Sequence, residues 1–246
     1  MSQPLDLKNP GRVVHVGVIL PNSTNEILDV APIDAIHSIS KETISQLPDE
    51  MVPPHLKEQA IDLQIHWVSE TGKAPGLLTG GLKVIPTDSY ETCPPLDIVL
   101  IGAQSVTYQA NEADLAFIRK AYASCAAFLT ICGGMLAPMQ AGILQGRKAT
   151  APRFMLEALR RDNPGVAWQE KRWVRDGKVW SSGALLNGLE LMRAFLEETW
   201  GRGGGAGDDI VAMLLSAGCW PRRDVDYKDD LVKIAVSWGG VVGSVG

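Results

Sequence analysis

The sequence predicts an α/β fold, a parallel sheet sandwiched between helices on both faces, and three observations predict it. Continuous apolar runs rich in β-branched residues recur along the chain, as in VVHVGVIL at 13–20 and DIVLIG at 97–102. Segments with helical apolar spacing separate them, and a sheet whose strands alternate with helices is parallel and covered on both sides. The 246 residues are 46% hydrophobic, enough for one large core. One domain over 1–246 is expected, with its α/β core at about 13–200 and a C-terminal helical extension at 208–246.

The first strand, 13–20, breaks at Pro21-Asn22, and a helix is expected from about Glu26 to Ile39. The polar, proline-containing stretch 41–59 reads as a surface insertion before a second strand, IDLQIHWVS at 61–69. Gly76 to Ile85 suggests a hairpin around Gly80-Gly81, and DIVLIG forms the next strand. A helix over 112–123 precedes CAAFLTIC at 125–132, a buried strand that stops at Gly133-Gly134 and turns straight into MLAPMQAGIL. Pro138 requires that helix to be kinked or to begin with an irregular turn, because proline lacks the N–H and clashes with the preceding turn. Asp176-Gly177 marks the turn of a hairpin over 171–183, and an amphipathic helix runs from Leu185 to Trp200 before Gly201 stops it. GRGGGAG at 201–207 is a flexible joint, DDIVAMLLSAG one more helix, and the tail from Trp220 has no clear period, with its end at 236–246 expected to be loosely ordered.

Composition excludes several function classes. A formal charge of −5 spread along the chain, with no basic block, does not suit nucleic acid, so the expected partner is a small molecule. No run approaches the roughly 18 apolar residues of a membrane span, and the start, MSQPLDLKNPGR, lacks a leader pattern; a cytoplasmic protein is expected. The four cysteines show neither CxxC nor Cys/His ligand spacing, so no metal site or disulfide framework is signalled. GRGGGAG follows a helix rather than a strand and does not cradle a phosphate, and no cofactor is expected. Trp67, Trp173 and Trp180 suit either a pocket or the core, with the core favoured at strand positions.

In a parallel sheet the ligand sits outside the carboxyl ends of the strands, which brings the loops after residues 20, 102 and 132 to one rim. Cys132 ends an apolar strand, and the two glycines after it permit the cramped strand-to-helix turn of a nucleophile elbow. The helix start offers unpaired N–H groups that favour the thiolate and can hold a developing oxyanion. A buried structural cysteine is the alternative that the local pattern leaves open.

TICGGMLAPMQAGILQGRKAT at 130–150 resembles the ThiJ/PfpI superfamily, whose fold is flavodoxin-like and shared with the class I glutamine amidotransferases; isonitrile hydratases resemble it most. LDVAPIDAI at 28–36, PPLDIVLIGA at 94–103 and VRDGKVWSSGALLNGLEL at 174–191 extend the resemblance to about residues 13–200. It implies that Cys132 is the reactive group and that Asp29 is the acidic residue moving its proton. LDVAP is one residue shorter than the family spacing, which keeps Glu26, one turn earlier, as the other candidate. It also implies that Gly102, Ala103, Gly133 and Gly134 form the oxyanion and substrate-binding backbone, with Ala103 and Gly133 replacing a glycine and a threonine common in relatives.

All four histidines, His15, His37, His55 and His66, precede Cys132, so the Cys-His-Glu order of an amidotransferase is excluded and a Cys-His peptidase is not expected. What remains is a hydratase or lyase, or a related cyclase, acting on a small electrophilic metabolite. The alternatives are glyoxalase- or deglycase-like action on 2-oxoaldehydes and a redox-responsive protein built on a low-pKa cysteine. The resemblance further implies a homodimer, with 41–59 or the tail after 208 as the contact.

Overall fold

Strand runs that are apolar at nearly every position become the centre of a seven-stranded sheet in the computed structural model, which describes residues 4–105 and 107–228. β1 is Val14–Ile19, followed by a two-residue β2 (Thr24–Asn25). The helix expected over 26–39 is split into α1 (Ile27–Val30) and α2 (Ile33–Ser38), because Pro32 at the junction has no N–H to continue the ladder. The stretch 41–59 is not a loose surface insertion. It folds into α3 (Lys41–Ser45) and α4 (Pro54–Lys57), which bury Ile44 and Leu56 in the core, as the link between them buries Val52.

β3 is Leu63–Ser69; β4 (Gly76–Leu78) and β5 (Lys83–Val84) form the expected hairpin; β6 (Asp88–Ser89) and β7 (Ile98–Ile101) follow. α5 (Glu112–Ser124) opens on Asn111, whose side chain accepts from Asp114 N–H in a capping box. β8 is Ala127–Thr130. Beyond it a 3₁₀ turn, Cys132–Met135, precedes α6 (Leu136–Gln140), the irregular start that Pro138 demands. The short parallel pair β9 (Lys148–Ala149) and β10 (Ala167–Trp168), with α7 (Arg153–Asp162) between them, is not foreseen by the sequence reading. β11 (Trp173–Asp176) and β12 (Val179–Ser182) form a hairpin whose Gly177 takes φ +60°. α8 (Asn187–Thr199) and α9 (Ile210–Ala217) end the regular structure; the expected helical extension past Lys228 and the loosely ordered end lie outside the described residues.

The sheet order is β11-β12-β8-β7-β1-β3-β6, parallel throughout except for β11 on β12. Alternate residues of one strand feed opposite faces. Ile98 and Leu100 join Phe195 of α8 and Ile36 of α2, whereas Val99 and Ile101 join Ile118 of α5 and Leu156 of α7. Each such side chain contributes about 1.5–3 kcal/mol when removed from water. Trp180 stacks on Trp173 and meets Phe195 edge-on inside this core, which decides for the core role. From β1 the chain first adds β3 and β6 on one side, then returns to add β7 on the other. The order therefore reverses at β1, and the crevice at the carboxyl ends of β1 and β7 is where such folds bind ligands. Among the described residues no helix is long and apolar enough to cross a membrane.

Candidate active site

Cys132 follows β8 with φ +57°, a left-handed conformation that costs a non-glycine residue about 1–3 kcal/mol and persists only where neighbours enforce it. Its N–H donates to Gly183 O (3.1 Å), and Gly134 N–H donates to Ile131 O (2.9 Å). Gly134 has no room for a side chain: a Cβ there lies 2.2 Å from Ile101 O. The elbow thus depends on the close approach of the 132–134 turn to the end of β7. Cys132 is partly exposed, while Cys93 and Cys125 are buried with thiols pushed up to about 12 and about 11.

Asp29 arrives from α1 and is fully buried beside the thiol. Its Oδ2 accepts from Ala103 N–H (3.0 Å), and its Oδ1, buried as well, has no hydrogen-bond partner of regular geometry. Gly102 permits the approach, since a Cβ there lies 2.9 Å from both Asp29 Cβ and Val30 Cγ1. Burial pushes the Asp29 carboxyl up to about 7, with the negative charge of Glu26 adding to it and the Ala103 and Cys132 hydrogen bonds opposing it. Burial also pushes the Cys132 thiol up to about 12, and the Asp29 charge acts in the same direction.

The expectation of a favoured thiolate is therefore overturned. Two backbone donors, Leu185 N–H and Gly133 N–H, do stabilise the sulfur, but burial and the adjoining carboxylate outweigh them. The helix that was to supply positive potential has only five residues behind a 3₁₀ turn.

The oxyanion assignment also changes. Ala103 N–H is spent on Asp29 and Gly134 N–H on Ile131 O, so neither is a free donor. Gly102 acts by leaving space, and Gly133 N–H faces the sulfur. A backbone group that acts on the sulfur and that no sequence signal marks belongs to Leu185, held at φ +43° in the turn after β12. No residue type marks it; only its place past the carboxyl end of β12 hints at the rim.

Glu26 caps α1. Its Oε1 accepts from the Thr79 hydroxyl (3.0 Å) and from Leu28 N–H (3.4 Å), and its own N–H donates to Ala103 O (2.8 Å). It braces the loop and lends charge to Asp29, while Asp29 is the carboxyl that meets the thiol. None of the four histidines is among the groups that act on Cys132. His15 and His66 are joined to each other (3.0 Å) and His66 to Asp88 (2.8 Å). His55 bonds Gly207 O (2.8 Å), and His37 lies within 3.9 Å of Glu42.

Residues 49–198 match the DJ-1/PfpI family, a stretch that includes Cys132 and the 102–103 loop but not Asp29 or Glu26. An isonitrile hydratase from Pseudomonas putida is 31% identical over 145 residues, 57% of this chain and 61% of that protein. The chain thus spans less than two thirds of that relative's length. A ThiJ/PfpI family protein from Pseudomonas syringae has a similar structure, with a TM-score of 0.63 at 19% identity over 87% of this chain and 77% of that one. DJ-1beta of Drosophila melanogaster gives 0.61 at 13% identity over 86% of this chain and all of that one. At those identities the two structures speak to the fold alone.

Proposed function

This chain belongs to the DJ-1/PfpI family, and from that premise we propose that it is an enzyme in which Cys132 adds to a small electrophilic carbon while Asp29 carries the proton. The observation that carries the reading is the pairing of the buried Asp29 with the partly exposed Cys132. A carboxyl at about 7 lies against a thiol at about 12, so near neutral pH the proton rests on sulfur and the carboxyl is partly ionised. A general base is most effective when its pKa is close to the working pH. Asp29 accepts the thiol proton as the sulfur attacks, and Gly133 and Leu185 N–H hold the charge on sulfur before attack and after departure.

The resemblance to an isonitrile hydratase suggests the substrate class. With an isonitrile, the sulfur bonds to the terminal carbon and Asp29 delivers the proton to that carbon, leaving a thioimidate. Water then adds across the carbon–nitrogen double bond, its oxygen to the same carbon and one proton to nitrogen; the carbon–sulfur bond breaks, the remaining hydroxyl proton passes to sulfur, and an N-substituted formamide leaves. The buried Oδ1 is an acceptor available for that water. A redox-responsive role needs an easily ionised thiol, and burial and Asp29 push Cys132 the other way.

Incubation of the purified chain with an alkyl isonitrile, with formamide followed by mass spectrometry, tests this. Turnover is expected in the wild type, lost in Cys132→Ser and lowered about 10²–10⁴-fold in Asp29→Asn. Turnover of a 2-oxoaldehyde with none of the isonitrile moves the assignment to the glyoxalase-like reaction, and activity that survives Cys132→Ser removes the cysteine mechanism.

A further inference from the structure

The residues from Pro221 to Lys228 form no regular element, yet they are tied to the turn that carries Leu185. Backbone hydrogen bonds run from this segment to the cysteine in three steps: Arg172 N–H to Val225 O (2.8 Å), Gly183 N–H to Arg172 O (2.9 Å) and Cys132 N–H to Gly183 O (3.1 Å). Side chains reinforce the link. Tyr227 Oη donates to Asn187 Oδ1 (3.0 Å), and Asn187 Nδ2 donates to Glu190 Oε2 (2.9 Å). Arg223 Nε donates to the other oxygen of Glu190. The Tyr227 ring lies against two guanidinium groups, with Arg172 Cζ 4.5 Å and Arg153 Cζ 4.7 Å from its centroid.

Gly183 and Asn187 bracket Leu185, and Asn187 bonds Tyr227. A Cβ at Gly183 lies 2.7 Å from Asn187 Oδ1 and 2.7 Å from Tyr227 Oη, so this corner closes only because residue 183 is glycine. Leu185 itself sits at φ +43°, a conformation a leucine leaves unless both flanks are held.

We propose that residues 221–228 are a clasp on the 183–187 turn, and that Tyr227 is a positioning residue which, through Asn187, holds that turn, with Leu185 in it, against Cys132, whose N–H donates to Gly183 O. Its importance for chemistry rests on the reading of Cys132 as the attacking group, whereas the clasp is a matter of geometry. The segment of chain after α9 thereby contributes to a site whose other parts come from α1 and the ends of β7, β8 and β12.

The test uses the full chain with Tyr227→Phe and Tyr227→Ala. Hydrogen exchange at the Leu185 amide is read by nuclear magnetic resonance or fragment mass spectrometry, and carbamidomethylation of Cys132 is read against pH. The expected result is exchange at Leu185 at least tenfold faster in Tyr227→Ala and intermediate in Tyr227→Phe. The labelling profile moves upward by about one pH unit, a tenfold loss of thiolate at fixed pH. Tyr227→Phe keeps the ring between the guanidinium groups, so it reports on the hydroxyl even if the alanine variant does not fold. Leu185 exchange and Cys132 labelling equal to wild type in the phenylalanine variant, and in the alanine variant if it folds, overturn the clasp. Absence of isonitrile turnover in the wild type leaves the exchange result standing and bears only on the reaction.

Discussion

Replacing Asp29 by asparagine is expected to stabilise the protein while disabling it, and the size of the gain depends on pH. The folded state holds this carboxyl at about 7 against an ordinary value of 3.8, chiefly because burial disfavours its charge. The folded chain therefore binds the proton more tightly than the unfolded chain. The contribution of Asp29 to stability is fully present below about pH 4 and is lost as pH rises through 7. The gap of about three pH units corresponds to about 4 kcal/mol at pH 8 and above, an upper bound because unfolded chains retain some structure. Asparagine keeps an oxygen to accept the Ala103 N–H and carries no charge to desolvate. Urea unfolding of wild type and Asp29→Asn between pH 4 and 9 measures the difference. It should be close to zero at pH 4 and grow to a few kcal/mol by pH 8. A difference that does not change with pH would falsify the assignment of Asp29 as a buried, strained carboxyl.

Three other outcomes follow from the same contacts. Because the Asp29 charge helps push the Cys132 thiol up, Asp29→Asn should label faster with iodoacetamide at pH 8, by at least tenfold, even as turnover falls; slower labelling would break the proposed thiol–carboxyl coupling. Gly134→Ala drives a Cβ into Ile101 O and should lose more than about 3 kcal/mol or fail to fold, whereas Gly133→Ala, whose Cβ comes no nearer than 3.3 Å to any neighbour, that neighbour being Ala103 Cβ, should fold with a modest loss; thermal melts of the pair decide. His15, beside His66, Arg12, Asp97 and Asp88, is lowered first by burial and then by the His66 charge, so its contribution is present above about pH 6.5 and is lost as pH falls. His15→Gln should flatten the acid side of the stability profile, and an unchanged profile would show that the imidazole pair does not couple to folding.

What the sequence determined by itself are the features set by neighbours in the chain. The apolar runs at 13–20, 97–102 and 125–132 are strands because a continuous apolar run can only be buried on both faces. The Cys132-Gly133-Gly134 elbow is legible because only small residues fit a strand that turns at once into a helix. Pro138 announces the irregular first turn, and Asp176-Gly177 the hairpin. Pro32 carried the same kind of message, since it splits the first helix, but the apolar period across it masked the break.

Only the tertiary structure decided which state those groups adopt. Asp29 and Glu26 are indistinguishable as carboxylates one turn apart; folding buries the first against the thiol and leaves the second as a cap bonded to Thr79. Ala103 N–H looked like an oxyanion donor until Asp29 took it, and Leu185 N–H came to favour the charge on the Cys132 sulfur although no residue type marks it. The thiol shifted up rather than down because protonation is set by desolvation and by charges brought together from distant parts of the chain. A local pattern encodes backbone shape, while the free energy of a proton at Cys132 depends on what the whole fold places around it.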